Sequence, residues 1–322
     1  MQLPALLRSA IDSETARYPQ QALSRAAAEL SASYRDQHPV QGTFIASEVH
    51  RAAYLGMRLP ATYAATSAAL AEVGRLMPGA SISSLLDLGA GPGTASWATA
   101  GIFAGLSQIT CLEREAAWIG MGKRLAGTGV DTPMGHAIWM QRDLRSAPSL
   151  PAGDLVVSSY ALGEIEREQV SRILRQAWAA ARQALVIVEP GTMAGFELIR
   201  SLRAELLALG GRLIAPCPHQ GDCPIGVGDW CHFSQRIERS PLHRQLKSGT
   251  LGHEDEKFAY IAVAKEAVVP VPSRVLRHPL RHPGHTRLLL CSQEGIETVT
   301  VTRSDREQWK RVRKVDWGDA WS

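Results

Sequence analysis

Three cysteines, Cys217, Cys223 and Cys231, stand within fifteen residues in CPHQGDCPIGVGDWCHFSQR, 217–236. Thiolates at such spacing can converge on one metal ion or cluster, because the turns between them return the chain to a common point. Three ligands leave one position open, and only Cys111 and Cys291 remain to fill it. Cys111 lies inside the apolar run ITCLE and reads as core. Cys291 ends TRLLLCS, where a strand end can reach the other three, so the expected set is Cys217, Cys223, Cys231 and Cys291. Structural zinc favours close CxxC knuckles, and none occurs here. Wider spacings suit a cubane. Chemistry alone leaves zinc and iron–sulfur both open, with His219, His232 and His253 keeping a three-cysteine, one-histidine site in play. The CxxxCxxC arrangement of clusters that cleave their cofactor is missing.

A second constellation is LLDLGAGPGTASWA, 85–98. An apolar strand ends at Leu88, glycines 89, 91 and 93 turn the chain, and a helix follows. Glycines permit the tight turn and let backbone approach a ligand, while the helix N-terminus offers N–H groups to a negative charge. Asp87 precedes the turn, and Glu113 ends the next strand twenty residues past Gly93, where an acid bonds ribose hydroxyls. The preceding acid and compressed GxGxG resemble the S-adenosylmethionine loop of class I methyltransferases more than a dinucleotide fingerprint. That resemblance assigns Asp87, Gly89, Gly91 and Gly93 to the methionine and ribose end, Glu113 to the ribose diol, and Asp143 of MQRDL to the adenine. A helix cap is the competing role for Asp143. The acceptor side is plain: SSYALGEI, 158–165, lacks the Asn/Asp-Pro-Pro-aromatic motif of many base methyltransferases, leaving Tyr160 and Glu164 as candidate pocket residues.

These residues need a scaffold of parallel strands. SSLLDLG, ITCLE, AIWMQ, DLVVSSY and ALVIVEP are continuous apolar runs alternating with helical segments, which implies a mostly parallel sheet with helices on both faces. Residues 1–38 read as helix in two pieces, and EVHRAAYLGMRLPATYAATSAALAEVGRLM as a further helical stretch broken near Pro60. KFAYIAVAK, TRLLLCS and IETVTVT are expected to complete or extend the same sheet. The expected divisions are a helical N-terminal region (1–78), a Rossmann-like core (79–210), a cysteine-rich insertion (211–257), and late core strands with a basic C-terminal region (258–322).

The composition excludes several classes. Hydrophobic residues make up 45% of 322, enough for a sizeable core. No apolar run reaches the roughly 20 residues that span a bilayer. Five cysteines in so long a chain are no disulfide scaffold, and a reducing compartment is expected. The first residues lack a basic, then apolar, leader, so a cytoplasmic location is expected. The formal charge is +4, yet residues 270–315 hold ten Lys or Arg against four acids. That excess points to a polyanionic partner, with Trp309, Trp317 and Trp321 as candidates to stack on bases.

CPHQGDCPIGVGDWCHFSQRIER followed by EDEKFAYIAVAK, together with AAYLGMRLPATYAA and LLDLGAGPGTASWA in that order, resembles a methyltransferase-like family associated with the small ribosomal subunit of bacteria and mitochondria. The resemblance spans roughly residues 50–320. It implies a class I methyltransferase fold, an S-adenosylmethionine site, a [4Fe–4S] cluster on Cys217, Cys223, Cys231 and Cys291, and association with small-subunit ribosomal RNA during assembly. The expected function is a cofactor- and cluster-binding methyltransferase-fold protein that acts on or with small-subunit ribosomal RNA, read as a ribosomal-RNA methyltransferase and a monomer off the ribosome. The alternatives are a non-catalytic assembly factor that uses cofactor and cluster structurally, and a zinc-bearing small-molecule methyltransferase.

Overall fold

Strands whose every residue is apolar need both faces covered, and the core sheet supplies two buried faces. The computed structural model describes residues 1–35, 45, 47–146, 149–247 and 249–322; the last three residues of the expected 1–38 helical piece lie outside these. The first helices are α1 (Ala5–Thr15), α2 (Gln20–Arg35), α3 (Glu48–Met57) and α4 (Leu59–Leu76). Pro60 falls in the first turn of α4, where its missing N–H is harmless, and so separates α3 from α4. The alternating core follows: β1 (Ser84–Leu88), α5 (Thr94–Ile102), β2 (Gln108–Glu113), α6 (Ala116–Ala126), β3 (Ile138–Gln141), β4 (Gly153–Ser159), α7 (Arg167–Ala180), β5 (Ala181–Pro190), α8 (Met193–Ala208) and β6 (Arg212–Ala215).

After β6 the cysteine segment leads to β7 (Phe233–Glu238), α9 (Pro241–Leu246) and the long β8 (His253–Ala264). The sheet order is β3-β2-β1-β4-β5-β8-β6, with β7 also paired to β8. The first five strands are parallel, whereas β8 runs antiparallel between β5 and β6. This is the strand order of class I methyltransferases. Period-two alternation sends Leu85, Ile109, Leu155 and Val186 into one core with α4, α5 and α6, and Leu86, Leu112, Val156 and Leu185 into another with α7 and α8.

One expectation fails. TRLLLCS and IETVTVT do not extend the core sheet. They are β11 (His285–Ser292) and β12 (Gly295–Thr302) of a separate antiparallel sheet, with β9 (Ser273–Val275), β10 (Leu280–Arg281) and β13 (Ala320–Trp321), the helix α10 (Arg306–Val312) packing beside it. Ser292 pairs with Gly295, so the hairpin closes through two residues, and Gly295 adopts φ 118°. A local hairpin forms without the long crossover that a return to the core sheet would need. The cysteine loop itself is narrower than the expected insertion, since β6 belongs to the core sheet and β7 pairs with β8.

Candidate functional site

The order of the core sheet reverses between β1 and β4, and open α/β sheets bind ligands at the carboxyl ends of strands beside such a reversal. The glycine loop sits there. Gly89, Gly91 and Gly93 adopt φ of 69°, 52° and 86°, a region disfavoured for residues with a Cβ. A Cβ at Gly89 would meet the Cβ of Ala161, just past β4, at 2.6 Å, whereas one at Gly91 would meet nothing within 4 Å. The loop therefore packs on one side and leaves open space in front of Gly91. Thr94 Oγ1, in the first turn of α5, is buried without a partner among the described residues.

The three acids are placed unequally. Asp87 is buried beneath the loop, its Oδ2 accepting from the Ser96 amide at 3.1 Å and the Ser96 hydroxyl at 2.7 Å. It ties β1 to α5, and burial pushes its carboxyl up to about 6. Glu113 accepts from Gly91 N at 2.9 Å and Glu115 N at 2.8 Å, so its two oxygens join the glycine loop to the turn after β2. Asp143 folds back on Arg145, accepting from its backbone N–H and its guanidinium, which lowers its pKa. Asp143 caps no helix among the described residues; its side chain closes a local turn instead.

At the ends of β4 and β5 lies a polar group that sequence reasoning named only in part. Tyr160 has φ 56°, an uncommon value for a residue with a side chain. Its hydroxyl donates to Glu256 Oε1 at 3.0 Å, and Glu256 pairs with Arg58 at 3.2 Å. Glu189, next to last in ALVIVEP, was missed; its Oε1 accepts from Leu162 N and Gly163 N, and burial pushes it up to about 8. Burial also raises Glu164, with Glu113 adding repulsion.

The four expected cysteines line one cavity of about 40 Å³, walled by Phe196, Ile199, Phe233, Tyr260, Ile261 and Leu276 among others. Cys111 is elsewhere, beneath the glycine loop at 3.3 Å from Ser96 Oγ. Burial raises the thiols of Cys217 and Cys231, and that of Cys291 to about 12; neighbouring cysteines of the set add to each shift. His219 Nε2 lies 3.7 Å from Cys291 Sγ, while His232 stacks on Trp230. Among the described residues, no three His, Cys, Asp or Glu side chains stand close enough to hold a single metal ion. Two arginines that the sequence reading did not single out for this site also line the cavity. Arg203 is 5% exposed and donates to the carbonyls of His219 and Gly221; Arg274 is 1% exposed and donates to Pro216 O at 3.0 Å. A lone arginine on a helix or strand reads as a solvated face, so only the packing reveals them.

Of the C-terminal cations, Arg274 is therefore spent inside, while Arg287, Arg303, Arg306, Lys310, Arg313 and Lys314 are exposed. Of the tryptophans offered for stacking on bases, Trp321 is buried and Trp317 is wedged between His232 and His278. Trp309 is half-buried beside Arg303. No described helix is long and apolar enough to cross a membrane.

Residues 48–322 match the family described as mitochondrial small ribosomal subunit Rsm22. The chain is 27% identical over 285 residues to the Homo sapiens ribosome assembly protein METTL17, mitochondrial, covering 83% of this chain and 61% of that one. It is 23% identical over 344 residues to the Rsm22-cox11 tandem protein 2, mitochondrial, of Schizosaccharomyces pombe, covering 90% and 45%. The chain thus spans about half the length of these curated relatives. Both are mitochondrial by name, which the cytoplasmic expectation does not match. Among solved structures it is similar to magnesium protoporphyrin IX methyltransferase of Synechocystis with bound SAH, at 12% identity, 77% and 100% coverage and a TM-score of 0.42. It is also similar to TehB of Haemophilus influenzae, at 15% identity, 61% coverage of each chain and a TM-score of 0.39.

Proposed function

This chain belongs to the family of the mitochondrial small ribosomal subunit protein Rsm22, and from that premise we propose that it assists assembly of a small ribosomal subunit, holding S-adenosylmethionine at its glycine loop and a [4Fe–4S] cluster at its four-cysteine cavity. The observation that carries the reading is the extent of the match: residues 48–322 contain the glycine loop, all four cavity cysteines and the basic C-terminal sheet.

The residues fit both groups. In front of Gly91 there is room for a ligand, and the buried, unpartnered Thr94 hydroxyl stands at the start of α5. Asp87 would hold the loop from below, Glu113 would brace it and offer its edge to a ribose, and Asp143 would meet the adenine after releasing Arg145. The bound molecule would supply an activated methyl group. At the cavity, Cys217, Cys223, Cys231 and Cys291 would be the ligands, within largely apolar walls. Tetrahedral zinc, with bonds of about 2.3 Å, draws its sulfurs to within about 4 Å of one another. Among the described residues no such compact group is present, and the reading of a cluster in place of zinc rests on the wide cysteine spacing and on the family resemblance. The cavity's volume exceeds the roughly 10–15 Å³ that one water needs on the same measure.

The partner is small-subunit ribosomal RNA, met through the exposed cations of the C-terminal sheet by phosphate contacts, with the protein monomeric off the ribosome. Its compartment is that of the subunit it serves, which for the named relatives is the mitochondrion. A non-catalytic reading has one observation in its favour. Tyr160, Glu256, Arg58 and Glu189, at the strand ends where an acceptor would lie, are committed to one another or to backbone amides. Immature small subunits incubated with methyl-labelled cofactor decide between the readings: label in RNA establishes a methyltransferase, and stable binding without label establishes an assembly factor. Failure to bind immature subunits at all would sink both.

A further inference from the structure

The four-cysteine cavity contains two buried cations that no ligand set explains. Arg274 lies on β9, and the β9–β11 register sets it directly opposite Cys291. Its Nη1 donates to Glu72 Oε2 on α4 at 3.2 Å and to Gly318 O at 2.7 Å, yet its Nη2 is buried without a partner. Arg203, on α8, holds the cysteine loop by two carbonyls and hydrogen-bonds toward Cys217, yet its Nε is buried without a partner. Both line the cavity.

Burying a guanidinium is costly unless its charge and its donors are met, and leaving an N–H unpaired adds to the cost. Two carbonyls and one partly exposed carboxylate meet only part of that demand at Arg274, and carbonyls alone meet it at Arg203 apart from Cys217. A neutral filling would leave the cost standing; an anion in the cavity removes it. Four thiolates around a core of charge about +2 carry a net charge of about −2, which two arginines balance.

We propose that Arg203 and Arg274 are charge-balancing residues for the group held by the four cysteines, steadying its negative charge and tuning how readily it accepts an electron. The proposal rests on the cluster reading given above. Outer partners of metal ligands typically change affinity 10–100-fold when removed, and a nearby positive charge favours the more negative, reduced state.

The test uses the full chain reconstituted anaerobically with iron and sulfide, and reads the midpoint potential with dithionite as the electron donor. Arg203→Met should move the midpoint to more negative values and speed iron loss to a chelator roughly tenfold or more; Arg203→Lys, which keeps the charge, should restore most of the midpoint. Glu72→Gln, at a part-exposed position on α4, removes the carboxylate that neutralises Arg274, and should move the midpoint the opposite way. A merely structural role predicts lower melting temperatures with an unmoved midpoint. Because Glu72→Gln leaves both arginines in place, it keeps the proposal testable if Arg203→Met fails to fold. Loaded variants with the wild-type midpoint overturn the role of the arginines alone. A wild-type chain that takes up no iron overturns the cluster reading, and the proposal with it.

Discussion

Cys291 and Cys111 are both buried thiols at strand positions, yet only Cys291 faces the cavity, opposite Arg274 across the β9–β11 pair. Cys291→Ser should therefore release iron from reconstituted protein, measured as iron per chain and loss of broad visible absorption, while Cys111→Ser should retain it. The reverse pattern would refute the ligand set. Glu189 permits a prediction that needs no bound group. Burial pushes it up to about 8 from an ordinary value of 4.5, so the folded chain keeps a proton that the unfolded chain has already released. Its contribution to stability is greatest at low pH and falls as pH rises from about 4.5 to about 8. Glu189→Gln should flatten that slope and be the more stable form at pH 8, by about one to a few kcal/mol in urea titrations. A variant less stable than wild type at pH 8 would show that the ionised carboxylate is the form the fold prefers.

Elements explain which glycines matter and for what. Gly89→Ala places a Cβ 2.6 Å from that of Ala161 and strains a φ of 69°, so it should lower the melting temperature more than Gly91→Ala, which meets only open space. The second change costs about 1–2 kcal/mol of left-handed backbone strain. It should also weaken S-adenosylmethionine binding, read by calorimetry, because its methyl enters the space in front of the loop. Equal melting temperatures would undo the packing argument, and unaltered binding in Gly91→Ala would move the cofactor elsewhere. The strand–turn–helix around these glycines was legible in sequence because β1, β2, β4 and β5 bury both faces and leave no ambiguity of period. The placement of 286–292 and 296–302 was not, since a strand pattern names a strand and not the sheet it joins. Arg274 was hidden for a related reason: its neighbour Cys291 is set by the register of two strands, and no local spacing records register.

In the whole molecule, the cavity lies where three parts meet. The cysteine loop supplies three thiols, the core supplies Arg203 and the wall of β8, and the second sheet supplies Cys291 and Arg274. Arg277 reinforces the junction by pairing with Asp229, and a ladder of rings runs from Trp230 through His232 and Trp317 to His278. Removing the proposed cluster should accordingly loosen the junction more than the core. Hydrogen exchange should quicken in 217–231 and 273–321 after iron chelation while 84–88 and 153–159 stay protected; uniform quickening would mean that the cluster sustains the whole fold instead. The order in which the chain is made adds a consequence. Cys291 follows Cys231 by 60 residues, and among the described residues Ala320 and Trp321 close the other edge of β9. During synthesis, three thiols emerge early and wait for the fourth. A chain that carried the proposed cluster would be one whose β9 and β11 had already been translated and paired, so the inorganic group would report that the second sheet had formed.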